Sequence, residues 1–127
     1  TLPELEHMHI YKTGALIRAS VALGALCGRP LSARDFEHLE RYSKFIGLAF
    51  QVVDDILDCE GSTATLGKTA GKDAAANKPT YVSVLGVAGA RSLAEELRVG
   101  AQEAIAPLGE RARRLSELAD FIVVREF

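Results

Sequence analysis

Residues 46–58 read IGLAFQVVDDILD. Most of this stretch is apolar on every side of a helix, and the polar exceptions in its interior are Gln51, Asp54 and Asp55. A helix that is hydrophobic all round is normally buried inside a protein. The stretch therefore predicts a central buried helix, and its few polar residues become candidates for a functional role.

The rest of the chain also follows a helical period. Apolar residues recur at helical spacing from Leu5 to Leu26, and Gly28 and Pro30 end this first helix. Further helical patterns follow the central helix, from residue 79 to about 86 or 88 and then at about residues 90–105 and 109–125. Because no strand-like alternation is visible, the 127 residues predict an all-α fold in a single domain.

Residues 60–78 interrupt the helical pattern. This segment is rich in glycine, threonine, alanine and lysine, and its lysines are Lys68, Lys72 and Lys78. A segment of this length without periodicity is typical of a functional loop. We therefore expect an active-site loop immediately after the central helix.

Composition excludes several classes of protein. Fifteen basic and 17 acidic residues give a net charge of −2, which offers no electrostatic surface for nucleic acid. Two cysteines without a Cys-x-x-Cys spacing exclude a disulfide framework and a thiolate zinc site. No membrane or export segment is visible, so we expect a cytoplasmic protein without membrane partners. The first residues, TLPELEHMHIYKTG, favour a piece of a longer chain.

The acidic residues of the central helix share one face. Gln51, Asp54, Asp55 and Asp58 are spaced i, i+3, i+4 and i+7. Their charges repel one another and lie toward the end of a helix where its dipole disfavours anions. A cation must offset this cost, either Lys or Arg or a hard divalent metal. The loop lysines favour Mg²⁺ with a diphosphate, since Mg²⁺ takes one or two carboxylates together with phosphate oxygens.

Lys12 interrupts the apolar stripe of the first helix. It lies one turn from both Met8 and Leu16. Such a lysine either extends to water or points into a polar cavity of the core. Thr13 and Gly14 are poor interior helix residues and permit a kink at this point. Together with the acidic face, Lys12 favours the polar cavity.

These motifs resemble a known family. GLAFQVVDDILD (47–58) resembles the second aspartate-rich motif of the trans-prenyl diphosphate synthases, the farnesyl and geranylgeranyl diphosphate synthase family. HIYKTGALI (9–17) is similar to the Lys-Thr helix of that family. Its later motifs are matched in order by LGK (66–68), GKD (71–73), KPTY (78–81) and the closing LADFIVVRE (118–126). The bacterial farnesyl diphosphate synthases are the most similar branch.

The resemblance implies a fold and a reaction. Members of this family have the all-α isoprenoid-synthase fold and are typically homodimers. Mg²⁺ ions bind the diphosphate of an allylic substrate, such as geranyl or dimethylallyl diphosphate, and its departure leaves a carbocation. The double bond of isopentenyl diphosphate attacks this cation, which gives a trans-prenyl diphosphate longer by five carbons. For this chain the resemblance favours farnesyl diphosphate as the product.

The resemblance also implies roles for individual residues. The metal ligands would be Asp54, Asp55 and Asp58, and the diphosphate ligands would be Lys12, Lys68 and Lys78. Thr13 and Gln51 would stabilise the cation. The catalytic residues would thus be Lys12, Thr13 and Gln51. Tyr81 and Phe50 are expected to be wall or core residues.

One part of the family pattern is missing. The first aspartate-rich motif, its arginine pair and the basic residues for isopentenyl diphosphate precede the Lys-Thr helix, and this chain has none of them. We therefore expect the C-terminal part of a synthase, inactive when isolated and prone to associate through uncovered apolar faces. The alternative is a non-catalytic helical interaction or regulatory fragment. A terpene cyclase is disfavoured because those enzymes lack the Lys-Thr and GKD elements.

Overall fold

The computed structural model describes residues 1–65 and 79–126, without the side chains of residues 62–65. Within these ranges the chain forms five α-helices and one 3₁₀ segment and contains no strand, which confirms the all-α expectation. The elements are α1 (Leu2–Tyr11), α2 (Thr13–Leu26), α3 (Ala33–Thr65), α4 (Tyr81–Ile105), a 3₁₀ segment (Ala106–Ala112) and α5 (Arg113–Val124). Over the same ranges, no helix is both long enough and apolar enough to span a membrane.

Helix α3 is the centre of the bundle and packs against each of the other four helices. Its side chains at Tyr42, Ile46, Val52, Val53 and Ile56 are almost completely buried, as the apolar pattern predicts. The facing stripe of α4 consists mostly of small buried residues, which are Ala90, Ala94, Ala101 and Ala104. Because these side chains are short, α4 can approach the bulky face of α3 closely enough to fill the core.

The ends of α3 differ in how well the sequence defines them. At the start, the hydroxyl oxygen of Ser32 accepts a hydrogen bond from the backbone N–H of Asp35 at 3.1 Å, as an N-cap does. At the end, the helix continues to Thr65, so the first six residues of the expected loop 60–78 are helical. Glu60, the first residue of this extension, forms an exposed ion pair with Arg91 of α4 at 2.6 Å. Residues 66–78 lie outside the described residues.

The first predicted helix is two helices that meet at Lys12. The backbone of Lys12 has ψ −97°, and α1 ends there while α2 begins at Thr13. A Cβ atom on Gly14 would lie 3.0 Å from the carbonyl oxygen of His9, so the start of α2 packs directly on the last turn of α1. The kink expected near Thr13 and Gly14 is therefore confirmed, with the break one residue earlier.

Two glycines bring α2 against the middle of α3. A Cβ atom on Gly47 would lie 3.3 Å from the Cα atom of Gly14 and 3.8 Å from Cδ1 of Ile17. The two backbones thus approach more closely than side chains would permit. This contact lies one helical turn before Gln51 and so fixes where α2 begins relative to the acidic face.

Two details of the later helices depend on backbone direction. Gly86 interrupts α4 with φ +76°, which agrees with the separate helical patterns expected before and after this residue. In α5, Leu115, Ala119 and Ile122 face the core. Leu118, although at helical spacing from Leu115, lies on the flank of that stripe and is 43% exposed.

We predict that Gly47→Ala lowers the free energy of unfolding by about 1–3 kcal/mol, because the new methyl group must separate α2 from α3. The matched control is Gly24→Ala, since Gly24 is a helical glycine of α2 and a Cβ atom added there would have nothing within 4 Å. That control should raise stability by up to about 1 kcal/mol through helix propensity. Urea denaturation of the protein expressed from its complete gene measures both, and equal effects would contradict the close packing.

Candidate active site

The acidic motif lies in the second half of α3, at the level of the α1–α2 break and the start of α4. Gln51, Asp54 and Asp55 are half-buried and Asp58 is exposed. The i, i+3, i+4 and i+7 spacing places all four side chains within an arc of about 100° on one side of α3, with Asp54 and Asp55 at its two limits. The motif therefore offers one acidic face along the helix.

Asp55 is held at the N-terminus of α4. Its Oδ2 accepts the backbone N–H of Tyr81 at 3.0 Å, and its Oδ1 accepts Nε2 of Gln51 at 3.4 Å. Tyr81 is the first residue of α4, where backbone N–H groups lack partners within the helix and the dipole favours an anion. The Thr80 hydroxyl caps another of these groups by accepting the N–H of Ser83. Asp55 thus adds a cap from a neighbouring helix.

A buried polar pair continues from this cap to α1. The hydroxyl of Tyr81 and Nδ1 of His9 are hydrogen-bonded at 3.1 Å, and their rings pack with centroids 5.2 Å apart. Tyr81 is fully buried and His9 is 8% exposed. The expectation that Tyr81 is a core or wall residue is borne out by its burial. Sequence reasoning missed His9, and the signal that could have found it is a histidine one turn before Lys12.

Burial and charge shift the pKa values of this network. Burial lowers the pKa of His9, the charge of Asp55 opposes that shift, and nearby Lys12 adds to it. Burial also raises the pKa of Asp55, while the hydrogen bonds from the Tyr81 N–H and the Gln51 amide partly oppose this rise. The pKa of Tyr81 is raised by burial and by the charges of Glu6 and Asp55, so its phenol stays neutral.

Lys12 and Thr13 lie at the helix break, close in sequence to His9. Thr13 is half-buried, whereas Lys12 is exposed. The neighbours of Lys12 in its stripe, Met8 (41%) and Leu16 (71%), are exposed as well. This face is therefore uncovered in the described chain, and the expectation that Lys12 points into a polar cavity stays a prediction. Lys68 and Lys78, the other two expected diphosphate ligands, lie outside the described residues.

An apolar cavity lies well away from the acidic motif. Its volume is about 360 Å³, and it is formed between α2, the start of α3 and the 3₁₀ segment. Leu39, one of its lining residues, precedes Asp54 by about four helical turns. This cavity is therefore not the polar hollow that the motif led us to expect.

The carboxylates of α3 have the chemistry of a magnesium site. Among the described residues, no group of three metal-ligating side chains converges on one point. Mg²⁺ needs only one or two carboxylates when waters and phosphate oxygens complete its octahedron. Asp54 and Asp58, spaced i and i+4 on α3, provide such a pair. The donor set on this helix therefore fits magnesium bound together with a diphosphate.

Arg125, which directly follows α5, contacts α3. The guanidinium carbon of Arg125 lies 4.3 Å from the ring centre of Phe50, and Nη2 donates to the Phe50 carbonyl oxygen at 3.1 Å. Phe50 is half-buried, as expected for a wall residue, and precedes Asp54 by one turn. Arg125 therefore attaches the end of the chain to α3 beside the acidic motif.

Comparison with known proteins agrees with this architecture. The family model "Polyprenyl synthetase" matches residues 1–107, and the chain belongs to that family. A crystal structure described as that of a "putative farnesyl-diphosphate synthase" from Marinomonas sp. MED121 has the same fold, with a TM-score of 0.77 and 39% identity. That match covers 97% of this chain and 40% of the other.

Curated relatives include farnesyl and geranylgeranyl diphosphate synthases. The chain is 54% identical to the "Probable farnesyl diphosphate synthase" of Sinorhizobium fredii, in a match that covers 92% of this chain and 36% of the relative. It is 46% identical to the "Farnesyl diphosphate synthase" of Escherichia coli, with 98% and 42% covered. The "Geranylgeranyl pyrophosphate synthase, chloroplastic" of Catharanthus roseus is also 46% identical, with 98% and 35% covered. The chain thus spans well under half the length of these relatives.

We predict that acidification below the ordinary histidine pKa of 6.5 destabilises the protein through His9. Because the pKa of His9 is lowered in the folded protein, the unfolded chain takes up a proton at higher pH than the folded protein does. The free energy of unfolding therefore falls as the pH is lowered from the unfolded pKa to the folded pKa. In His9→Asn, the midpoint of thermal unfolding should depend less on pH between about 7 and 5. His7→Asn, an exposed residue of the same helix, is the control. An unchanged pH slope in His9→Asn would contradict the prediction.

Proposed function

We propose that the protein, as encoded by its complete gene, is a magnesium-dependent prenyltransferase. It condenses isopentenyl diphosphate with an allylic diphosphate, geranyl or dimethylallyl diphosphate, and releases a longer trans-prenyl diphosphate, farnesyl diphosphate. The observation that carries this proposal is the group Asp54, Asp55 and Asp58 on one face of α3, within the stretch matched by the polyprenyl synthetase family. The names of the bacterial relatives support the choice of product.

The carboxylates supply the metal site in this proposal. Asp54, Asp55 and Asp58 hold Mg²⁺, although Asp55 also accepts two N–H groups. Asp55 still has unused lone pairs and adds negative charge beside them. Magnesium bound there would neutralise charge on the diphosphate and make it a better leaving group. Half-burial of Asp54 strengthens its electrostatic interactions relative to those of a fully exposed carboxylate.

The remaining residues bind and orient the substrate. Lys12, exposed at the α1–α2 break, binds diphosphate oxygens with its ammonium group. Lys68 and Lys78 have the same role, and Lys78 is three residues before Tyr81, whose N–H binds Asp55. The hydroxyl oxygen of Thr13 and the carbonyl oxygen of Gln51 face the allylic cation and stabilise its positive charge. Gln51 is oriented for this because its Nε2 already donates to Asp55.

Replacement of Asp54 tests the proposal directly. In the complete protein, Asp54→Asn should lower the magnesium-dependent condensation rate by at least about 100-fold, since it removes a metal ligand without changing shape. The matched control is Asp120→Asn in α5, whose carboxylate is exposed and accepts hydrogen bonds from Arg98 and Gln102. That control should change the rate little, because exposed ion pairs contribute little. Product is measured by chromatography of radiolabelled prenyl diphosphates.

The alternative, a non-catalytic helical interaction or regulatory protein, predicts a different result. A scaffold has no use for Asp54 as a ligand, so magnesium binding in the presence of diphosphate would be absent or unchanged in Asp54→Asn. Diphosphate-dependent magnesium binding that disappears in this variant would favour the enzyme. Binding that survives it would favour the scaffold.

We predict that the isolated 127-residue chain forms no prenyl product, because it lacks the first aspartate-rich motif and the groups for isopentenyl diphosphate. It should also associate. Large apolar side chains of α2 are exposed on one face, with Leu16 at 71%, Leu23 at 64% and Leu26 at 72%. A radiolabel assay and static light scattering test both expectations. Product from the purified chain, or a compact monomer, would contradict them.

Two expectations about the complete protein stay predictions. We propose a homodimer in the cytoplasm, which the family resemblance and the absence of a disulfide framework support. Analytical ultracentrifugation of the complete protein tests the first of these.

A further inference from the structure

The hydrogen bond between His9 and Tyr81 joins helices that are distant in sequence. His9 lies in the last turn of α1 and Tyr81 is the first residue of α4, 72 positions later. Both side chains are buried, and apolar residues of similar size would fill the same space without the cost of removing polar groups from water. What the polar pair adds is direction, since a hydrogen bond specifies the separation and orientation of its two helices.

On one side, this pair determines the position of Lys12. Lys12 follows His9 by three residues, and its N–H donates to the carbonyl oxygen of Met8 at 3.1 Å, so its backbone belongs to the last turn of α1. That turn is fixed at His9 from two directions. Tyr81 holds the imidazole, and the start of α2 packs against the His9 carbonyl at Gly14. A shift of His9 would therefore move Lys12.

On the other side, the pair is connected to the aspartate motif. The backbone N–H of Tyr81 donates to Asp55 at 3.0 Å, and Asp55 is adjacent to Asp54 on α3. A continuous set of contacts thus runs from α3 through the first residue of α4 to the end of α1. It connects the carboxylates with Lys12. In the proposed function, the carboxylates contact one diphosphate through the metal, and Lys12 contacts the same diphosphate directly.

We propose that His9 and Tyr81 are positioning residues of the diphosphate site, which hold Lys12 at a fixed separation from the aspartate motif. This inference rests on the proposed function, because it assigns Lys12 and the aspartates to one ligand. Neither residue touches that ligand. Their contribution is to keep the ammonium group and the carboxylates in the geometry that binding needs, where displacements near ~1 Å already weaken an electrostatic site.

The test uses Tyr81→Phe in the complete protein, with inorganic pyrophosphate and Mg²⁺ as the probe. This variant removes the hydroxyl and keeps both the ring and the N–H to Asp55. Isothermal titration calorimetry should show a Kd for pyrophosphate that is raised roughly three- to tenfold. In the condensation assay, the KM for the allylic diphosphate should rise by a similar factor, with a smaller change in kcat.

The matched control is Tyr42→Phe. Tyr42 is also buried, and its hydroxyl donates one hydrogen bond, to the carbonyl oxygen of Leu115 at 2.8 Å. It precedes Asp54 by twelve residues, or about 18 Å along α3. Both variants should lower the midpoint of thermal unfolding, but Tyr42→Phe should leave pyrophosphate binding unchanged. Equal effects on binding in the two variants would overturn the inference, because they would show a structural role alone.

Rescue at His9 separates the hydrogen bond from packing. In His9→Asn the side-chain amide can replace Nδ1, whereas His9→Leu fills space without a polar group. Asn should recover most of the affinity that Leu loses, and the double variant His9→Leu/Tyr81→Phe should be no weaker than either single variant. Additive losses, or an Asn variant as weak as the Leu variant, would overturn the pairing.

The same measurements distinguish this inference from the proposed function. An unmodified protein that binds pyrophosphate with Mg²⁺ but forms no product would contradict the prenyltransferase activity and leave the positioning roles to stand on the binding data. An unmodified protein that binds no pyrophosphate would overturn both. If the unmodified protein forms product but the Tyr81→Phe and Tyr42→Phe variants bind pyrophosphate equally well, the positioning roles alone would be overturned.

Discussion

The hydrogen bonds of the Asp55 carboxylate assemble the end of the bundle where α1, α3 and α4 meet. This carboxylate is half-buried on a helix that is otherwise apolar, and it is stabilised there by the first backbone N–H of α4 and by the amide of Gln51. An unpaired carboxylate in that environment would be costly. The start of α4 is thus tied to α3, and through the hydroxyl of Tyr81 it is also joined to the last turn of α1. Three helices therefore have one polar contact region.

Close backbone packing gives this contact region its rigidity. Gly14 and Gly47 let α2 lie directly on α3, while the alanine stripe of α4 receives the bulky side chains on another side of α3. Gly100 extends this pattern, since an added Cβ would lie 2.8 Å from the ring of Phe45. Interiors packed in this way have few alternative arrangements. The polar groups at the end of the bundle are consequently held by a closely packed framework.

Much of the fold was predictable because helical period and helix ends are local signals. The buried character of residues 46–57, the end of the first helix at Gly28, the cap at Ser32 and the break at Gly86 all follow from neighbouring residues. The extension of α3 to Thr65 was not predictable from local signals, and its first residue, Glu60, pairs with Arg91, which lies 31 positions later. Sequence periodicity cannot represent such a contact, and the low helix propensity around Gly61 pointed the other way.

The candidate site also combines local and long-range signals. The aspartates stand out within a few residues on an apolar helix, whereas His9 is unremarkable until its partner, 72 positions away, is known. Lys12 was recognised as unusual from its apolar neighbours Met8 and Leu16, but these are exposed beside it in this chain, so periodicity alone could not show what covers this face.

The two adjacent aspartates illustrate why a motif can require both residues for different reasons. Asp54 and Asp55 point about 100° apart on α3 and lie at the two limits of its acidic face, so they meet different neighbours. Asp55 faces the N-terminus of α4, where it meets backbone N–H groups and the positive end of a helix dipole. Asp54 lies at the opposite limit of that face, one turn before Asp58. Asp55 thus stabilises the framework, and in the proposed function it also holds the metal together with Asp54 and Asp58. Replacement of Asp55 would therefore impair both the framework and the proposed site, whereas replacement of Asp54 would impair the proposed site and leave the cap on α4 in place.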